Sequence, residues 1–109
     1  MSSNLKKVSV IFPLYNPDIN FLIETIRLLI KDEDKFIEEI ILVDDGSVKP
    51  IKNYSNLFQR ISPKVLIIRQ KNKGAGEARN TGARLSKSNI LVFIDWDCRP
   101  HKNWLENLI

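Results

Sequence analysis

Asp95 and Asp97 stand one residue apart at the end of an apolar run, Ile90-Leu91-Val92-Phe93-Ile94. Two carboxylates this close repel each other, and at the end of a buried strand they are costly unless something cationic meets them. A hard divalent cation relieves that repulsion. Oxygen donors favour magnesium or manganese, and magnesium usually shares its shell with substrate phosphates. No His or Cys cluster lies nearby, so zinc is not expected. A second acidic pair, Asp44-Asp45, closes the apolar run Ile40-Ile41-Leu42-Val43 and passes into Gly46-Ser47. Aspartates in that position serve ligands or cap backbone N–H groups at a turn, and both readings stay open.

Gly74 and Gly76 open a helical segment surrounded by Lys71, Lys73 and Arg79. A glycine-rich turn into a helix N-terminus suits an anion, although the spacing is neither that of a P-loop nor that of a dinucleotide fingerprint. The plainer reading is a helix start in which Gly82 and Ala83 permit close packing. Arg79 is the more specific candidate, because a guanidinium pairs well with phosphate or carboxylate. Tyr15 could stack on a base or close its own loop. His101 reads as an exposed loop histidine, and Cys98 as a small packing residue without a partner at a motif spacing. Trp96 and Trp104 read as packing aromatics, with Trp96 also placed to wall a ligand site.

These residues need a frame, and the pattern supplies one. Val8-Ser9-Val10-Ile11-Phe12 predicts a first strand, ended by Pro13. Phe21, Leu22, Ile26, Leu29 and Ile30 recur at helical spacing after a Pro17-Asp18 entry. Ile40–Val43 predicts a second strand, Tyr54–Ile61 a short helix, Val65–Ile68 a third strand, Gly74–Leu85 a helix, Ile90–Ile94 a fourth strand, and Trp104–Ile109 the start of another helix. Near-continuous apolar strands between helices indicate an α/β fold, a mainly parallel sheet covered on both faces. Right-handed crossovers make it doubly wound and Rossmann-like. The loops Pro13–Asn16, Asp44–Ser47, Asn72–Gly76 and Asp95–Asp97 then converge on the carboxyl edge of the sheet, where such folds bind ligands. The closing apolar phrase Asn103–Ile109 carries no stop signal, so a fold cut after its fourth strand is expected, against the alternative of a short terminal helix docked on the sheet.

At 109 residues the chain is one domain at most, expected as an N-terminal extension over 1–7 and a folded part over 8–109. The net charge of +4, from 17 basic and 13 acidic residues, is too small and too evenly spread to argue for nucleic acid. A single cysteine excludes an internal disulfide framework. No apolar run has the length of a membrane span, and the N-terminus lacks the apolar core of a signal peptide. The expected address is the cytoplasm, or the membrane surface for a longer protein.

Four phrases resemble the family 2 glycosyltransferases: Val8–Asn16, Ile41–Ser47, Asn72–Gly82, and Phe93–Asp97 with its Asp-x-Asp (DxD) pattern. Each is moderately specific; their order and separations together are highly so. The resemblance implies a GT-A fold, a nucleotide-diphosphate sugar donor, most simply a UDP-sugar, and a divalent cation, Mn2+ or Mg2+. It implies that the Pro13–Asn16 loop, with Pro13, Tyr15 and Asn16, and the Asp44-Asp45 pair hold base and ribose, Asp45 at the base. Gly74 and Arg79 would lie near the nucleotide or its phosphates, Asp95 between ribose and metal, and Asp97 would be the principal metal ligand. The catalytic base of inverting members would fall beyond Ile109, and Trp96 is bulkier than the small residues common between the two acids. The acceptor, whether saccharide, lipid-linked or other, is left open. Two rivals remain. One is a non-catalytic remnant or interaction module that self-associates through a bare fourth-strand edge. The other is a nucleotidyltransferase-like enzyme, for which Pro13–Asn16 is a poor substitute for a glycine-rich first loop.

Overall fold

The computed structural model describes residues 6–109, so most of the expected extension over 1–7 lies outside it. The chain runs β1 (Val8–Leu14), α1 (Ile19–Glu33), β2 (Ile37–Asp44), α2 (Ser55–Ile61), β3 (Val65–Arg69), α3 (Ala75–Leu85), β4 (Ile90–Phe93) and α4 (Trp104–Leu108), with short 3-10 turns at Asp34–Phe36 and Ile51–Tyr54. All strand pairs are parallel and the sheet order is β3-β2-β1-β4.

Each strand feeds its face through simple alternation. Val8, Val10, Phe12 and Leu14 of β1 point into the larger core with Leu22, Ile26 and Leu29 of α1 and Phe58 of α2. Ile11, Ile41 and Val43 point the other way, against Ala78 of α3. Burial on both faces is why β1 and β2 read as unbroken apolar runs. Helix α1 begins where Asp18 Oδ1 accepts the Phe21 N–H at 3.0 Å, and it buries the stripe Leu22, Ile23, Thr25, Ile26 and Leu29. Helix α3 packs closest to the sheet. A Cβ on Gly82 would meet Ile11 Cγ2 at 2.5 Å, so the packing reading of Gly82 holds.

Two boundaries differ from the sequence expectation by more than one residue. Pro13 does not end β1, which continues through Leu14 paired with Asp44. Ile11 O accepts from Ile94 N on the β4 side, and Leu14 O accepts from Asp45 N on the β2 side. Alternation therefore turns the nitrogen of Pro13 toward β4, just past the last β1–β4 pair, Ile11 with Phe93. A proline is tolerated there because no ladder bond is lost. β2 starts early, at Ile37, because Glu39 is buried on Ser9 Oγ at 2.6 Å rather than left in solvent. Among the described residues, no helix is long and apolar enough to cross a membrane.

Candidate active site

The sheet order places a switch point between β1 and β4: the chain leaves β1 for β2 on one side and returns from β3 to β4 on the other. Loops beyond these two strands part and leave a crevice at the carboxyl edge. All four expected loops stand along this edge, but they play unequal parts.

Asp44 is fully buried and its carboxylate is spent on the fold. Oδ1 accepts the Ser47 N–H at 2.9 Å; Oδ2 accepts the Ile51 N–H at 3.0 Å and Arg69 Nη1 at 2.8 Å. Burial opposes ionisation, but the donors from Ile51, Ser47 and Arg69 outweigh it and hold the pKa below the ordinary aspartate value. Asp45, also buried, accepts Gln70 Nε2 and the Lys73 N–H on Oδ1, both at 2.8 Å, and the Gly74 N–H on Oδ2 at 2.9 Å. Its pKa is likewise lowered: burial and the neighbouring Asp44 oppose ionisation, and the donors from Gln70, Lys73 and Gly74 prevail. The turn-capping reading of this pair is thus realised in full. The pair folds the β2 loop and moulds the strand-to-helix loop ahead of α3. Gly46, at φ 81, completes the arrangement: a Cβ there would sit 2.9 Å from Asn72 N.

Asn16 ties the first loop to the second. Its N–H donates to Ser47 Oγ and its Oδ1 accepts the Val48 N–H, each at 2.8 Å, with the backbone left-handed at φ 48. Pro13, Leu14, Tyr15, Asp45, Ala75 and Ala78 surround a hollow of about 60 Å³, and Tyr15 stands half exposed at its side. Gly74, at φ 98, precedes the first turn of α3, whose Arg79 reaches across the crevice to Asp95, Nη2 to Oδ1 at 4.0 Å.

The fourth loop has the opposite character to the second. Asp95, Asp97 and Cys98 are all exposed, and their ligand atoms lie within 4.8 Å of one another. The Cys98 N–H donates to Asp95 O at 3.0 Å and closes the turn. Cys98 is therefore not a packing residue as expected: the turn carries its thiol outward beside the two acids. Trp96 does pack, edge-on against Phe21 with ring centroids 5.8 Å apart, and His101 is exposed. Two exposed carboxylates with a thiol next to them could together hold a divalent cation, and it is the two carboxylates, not the thiol, that suit magnesium or manganese.

Several residues at this edge escaped the sequence reading. Arg69 and Gln70 follow an apolar strand and gave no signal apart from being polar. Thr25 did carry one: it is a polar residue on the inner stripe of α1, at helical spacing from Leu22 and Leu29. Arg99 was invisible because its partners, Phe21 and Thr25, lie far off in sequence.

The edge thus sets an exposed acidic pair, Asp95 and Asp97, opposite Arg79 of α3 at the switch point of a parallel α/β sheet. The pattern of the family described as Glycosyl transferase family 2 matches residues 9–109, and the chain belongs to that family. It is 35% identical over 109 residues to glycosyltransferase AglE of Haloferax volcanii, covering 97% of this chain and 35% of that protein. It is 34% identical over 114 residues to polypeptide N-acetylgalactosaminyltransferase 12 of Mus musculus, covering 97% of this chain and 19% of that one. Among solved structures, GalNAc-T7 with UDP, GalNAc and Mn2+ superposes with a TM-score of 0.88 at 28% identity, over 97% of this chain and 20% of that one. TarS 1-349 of S. aureus, at 23% identity and a TM-score of 0.76, shares the GT-A fold over 94% of this chain and 31% of that one. The chain thus spans about a third or less of the length of these relatives.

Proposed function

We propose that residues 8–109 form the donor-binding part of a glycosyltransferase that takes a nucleotide-diphosphate sugar, most simply a UDP-sugar, and a divalent cation, Mn2+ or Mg2+. The observation that carries this reading is the Arg79–Asp95 pair beside Asp97, set at the switch-point crevice of the sheet. Tyr15 and Asp45, with Pro13, border the hollow that takes the base. The hydrogen bonds of Asp44 and Asn16 make them the residues that hold this wall, rather than groups that touch the ligand. Arg79 and the start of α3 at Gly74 face the diphosphate with a guanidinium and a helix N-terminus. Asp95 and Asp97 hold the cation, which when bound neutralises charge on the departing diphosphate. Arg79 keeps the Asp95 carboxylate directed across the crevice. We assign no general base among these residues, and the acceptor is open.

The GalNAc-T7 structure contains UDP and Mn2+, which supports the choice of probes. Calorimetric titration with uridine diphosphate in Mn2+ should give binding that disappears when the ion is chelated, and Asp97→Asn should abolish the ion-dependent part. A folded sample that binds no nucleoside diphosphate under any metal condition overturns the proposal.

A second reading, an interaction module without catalysis, rests on one observation. β4 is an edge strand, and Phe93, Leu108 and Ile109 lie exposed along a groove of about 390 Å³ beside it. It predicts concentration-dependent self-association with Asp97→Asn indistinguishable from the parent in every assay.

A further inference from the structure

The loop that bears Asp95, Asp97 and Cys98 is fastened to α1 by one buried oxygen. Thr25 Oγ1 lies 2.9 Å from each of three backbone oxygens, those of Phe21, Trp96 and Cys98. A hydroxyl has one proton and two lone pairs, so it donates to one of these carbonyls at a time. It also accepts Arg99 Nη1 at 2.7 Å, and the same nitrogen lies 3.1 Å from Phe21 O. The Arg99 guanidinium covers the Phe21 ring at 3.4 Å. The carbonyls on both sides of residue 97 thus converge on Thr25, while the Asp97 side chain stands free in solvent.

This is an unusual use of a core position. The neighbours of Thr25 on the inner stripe of α1 are Leu22, Ile26 and Leu29, all fully buried, and a valine has nearly the same shape as threonine. A hydroxyl in such a stripe is costly unless its hydrogen bonds are made, and here two of its three acceptors within reach are carbonyls of the acidic loop, the third being Phe21 O of its own helix. We infer that Thr25 and Arg99 are positioning residues for the divalent cation, fixing the separation of the Asp95 and Asp97 carboxylates through the backbone on either side of Asp97. The inference rests on the reading of those two acids as cation ligands. Supporting groups of this kind typically change metal affinity by about 10- to 100-fold when removed.

The test is a titration of the whole chain with Mn2+ alone, read by paramagnetic broadening of the amide resonances of Asp95–Cys98 and accompanied by amide exchange of the Cys98 N–H. Thr25→Val should weaken Mn2+ binding about tenfold or more, and Thr25→Ser should restore it. Arg99→Lys keeps the charge but loses the planar stack, and it should fall between the two. It also carries the test should Thr25→Val fail to fold. A folded Thr25→Val, or Arg99→Lys in its place, that titrates like the parent overturns the inference. If the parent itself shows no broadening, the cation reading falls alone and the Cys98 amide decides: exchange unchanged by Thr25→Val overturns positioning, and exchange at least about tenfold faster sustains it.

Discussion

The second and fourth loops each end a strand in two aspartates, and they are opposites. Asp44 and Asp45 are buried, accept three protein donors apiece and have lowered pKa values. Asp95 and Asp97 are exposed, and the loop that carries them is held by its backbone, through Thr25, rather than by its carboxylates. The contrast separates two uses of one residue type. A carboxylate that folds a loop has most of its lone pairs committed, whereas a carboxylate that is to take a ligand is better held by something other than itself.

The contrast breaks most visibly at Asp44. Asp44→Ala strands the N–H groups of Ser47 and Ile51 and leaves Arg69 without its carboxylate, and should cost about 3 kcal/mol of stability by urea denaturation. A loss below about 1 kcal/mol would erase the distinction between the loops.

Acid titration of the parent sharpens it next. The folded pKa values of Asp44 and Asp45 lie below the ordinary 3.8, so the unfolded chain binds more protons than the folded one near and below that pH. Their contribution is fully present well above pH 3.8 and is lost as pH falls toward the lowered folded values. Asp44→Asn should flatten that acid limb of the stability curve, measured as denaturation midpoint against pH. An unaltered limb would deny the carboxylate its role.

The smallest effect on stability belongs to Asp97. Asp97→Asn should move it by no more than about 0.5 kcal/mol, as expected for an exposed group, while removing Mn2+-dependent nucleotide binding. A large loss of stability with binding intact would invert the assignment of the two loops.

The two central strands, β1 and β2, were legible because they are buried on both faces and so wrote continuous apolar runs; the outer strands β3 and β4 wrote apolar runs too, although Leu66 and Phe93 lie exposed. Helix α1 was legible through Asp18 and the spacing of Leu22, Ile26 and Leu29. The misplaced ends lie where backbone pairing decides. Whether Pro13 ends a strand depends on which neighbour its nitrogen faces, and whether Glu39 belongs to a strand depends on Ser9 across the ladder. At the edge, Asp95 and Asp97 announced themselves by spacing. The meaning of Asp44 and Asp45 did not, since their partners are mostly backbone N–H groups that no side-chain pattern records. Thr25 meets Arg99 and the acidic loop only after the chain has folded back upon α1.

Pro13 has one more consequence. A bulky wedge between β1 and β4 could swing aside and let the strands zip together past Ile11. An absent amide hydrogen has no rotamer to change. With its nitrogen turned toward β4 just past the Ile11–Phe93 pair, Pro13 has no hydrogen to offer the next rung, and that donor is missing whatever the side chains around it do. The missing rung is thus set by the covalent chain rather than by packing.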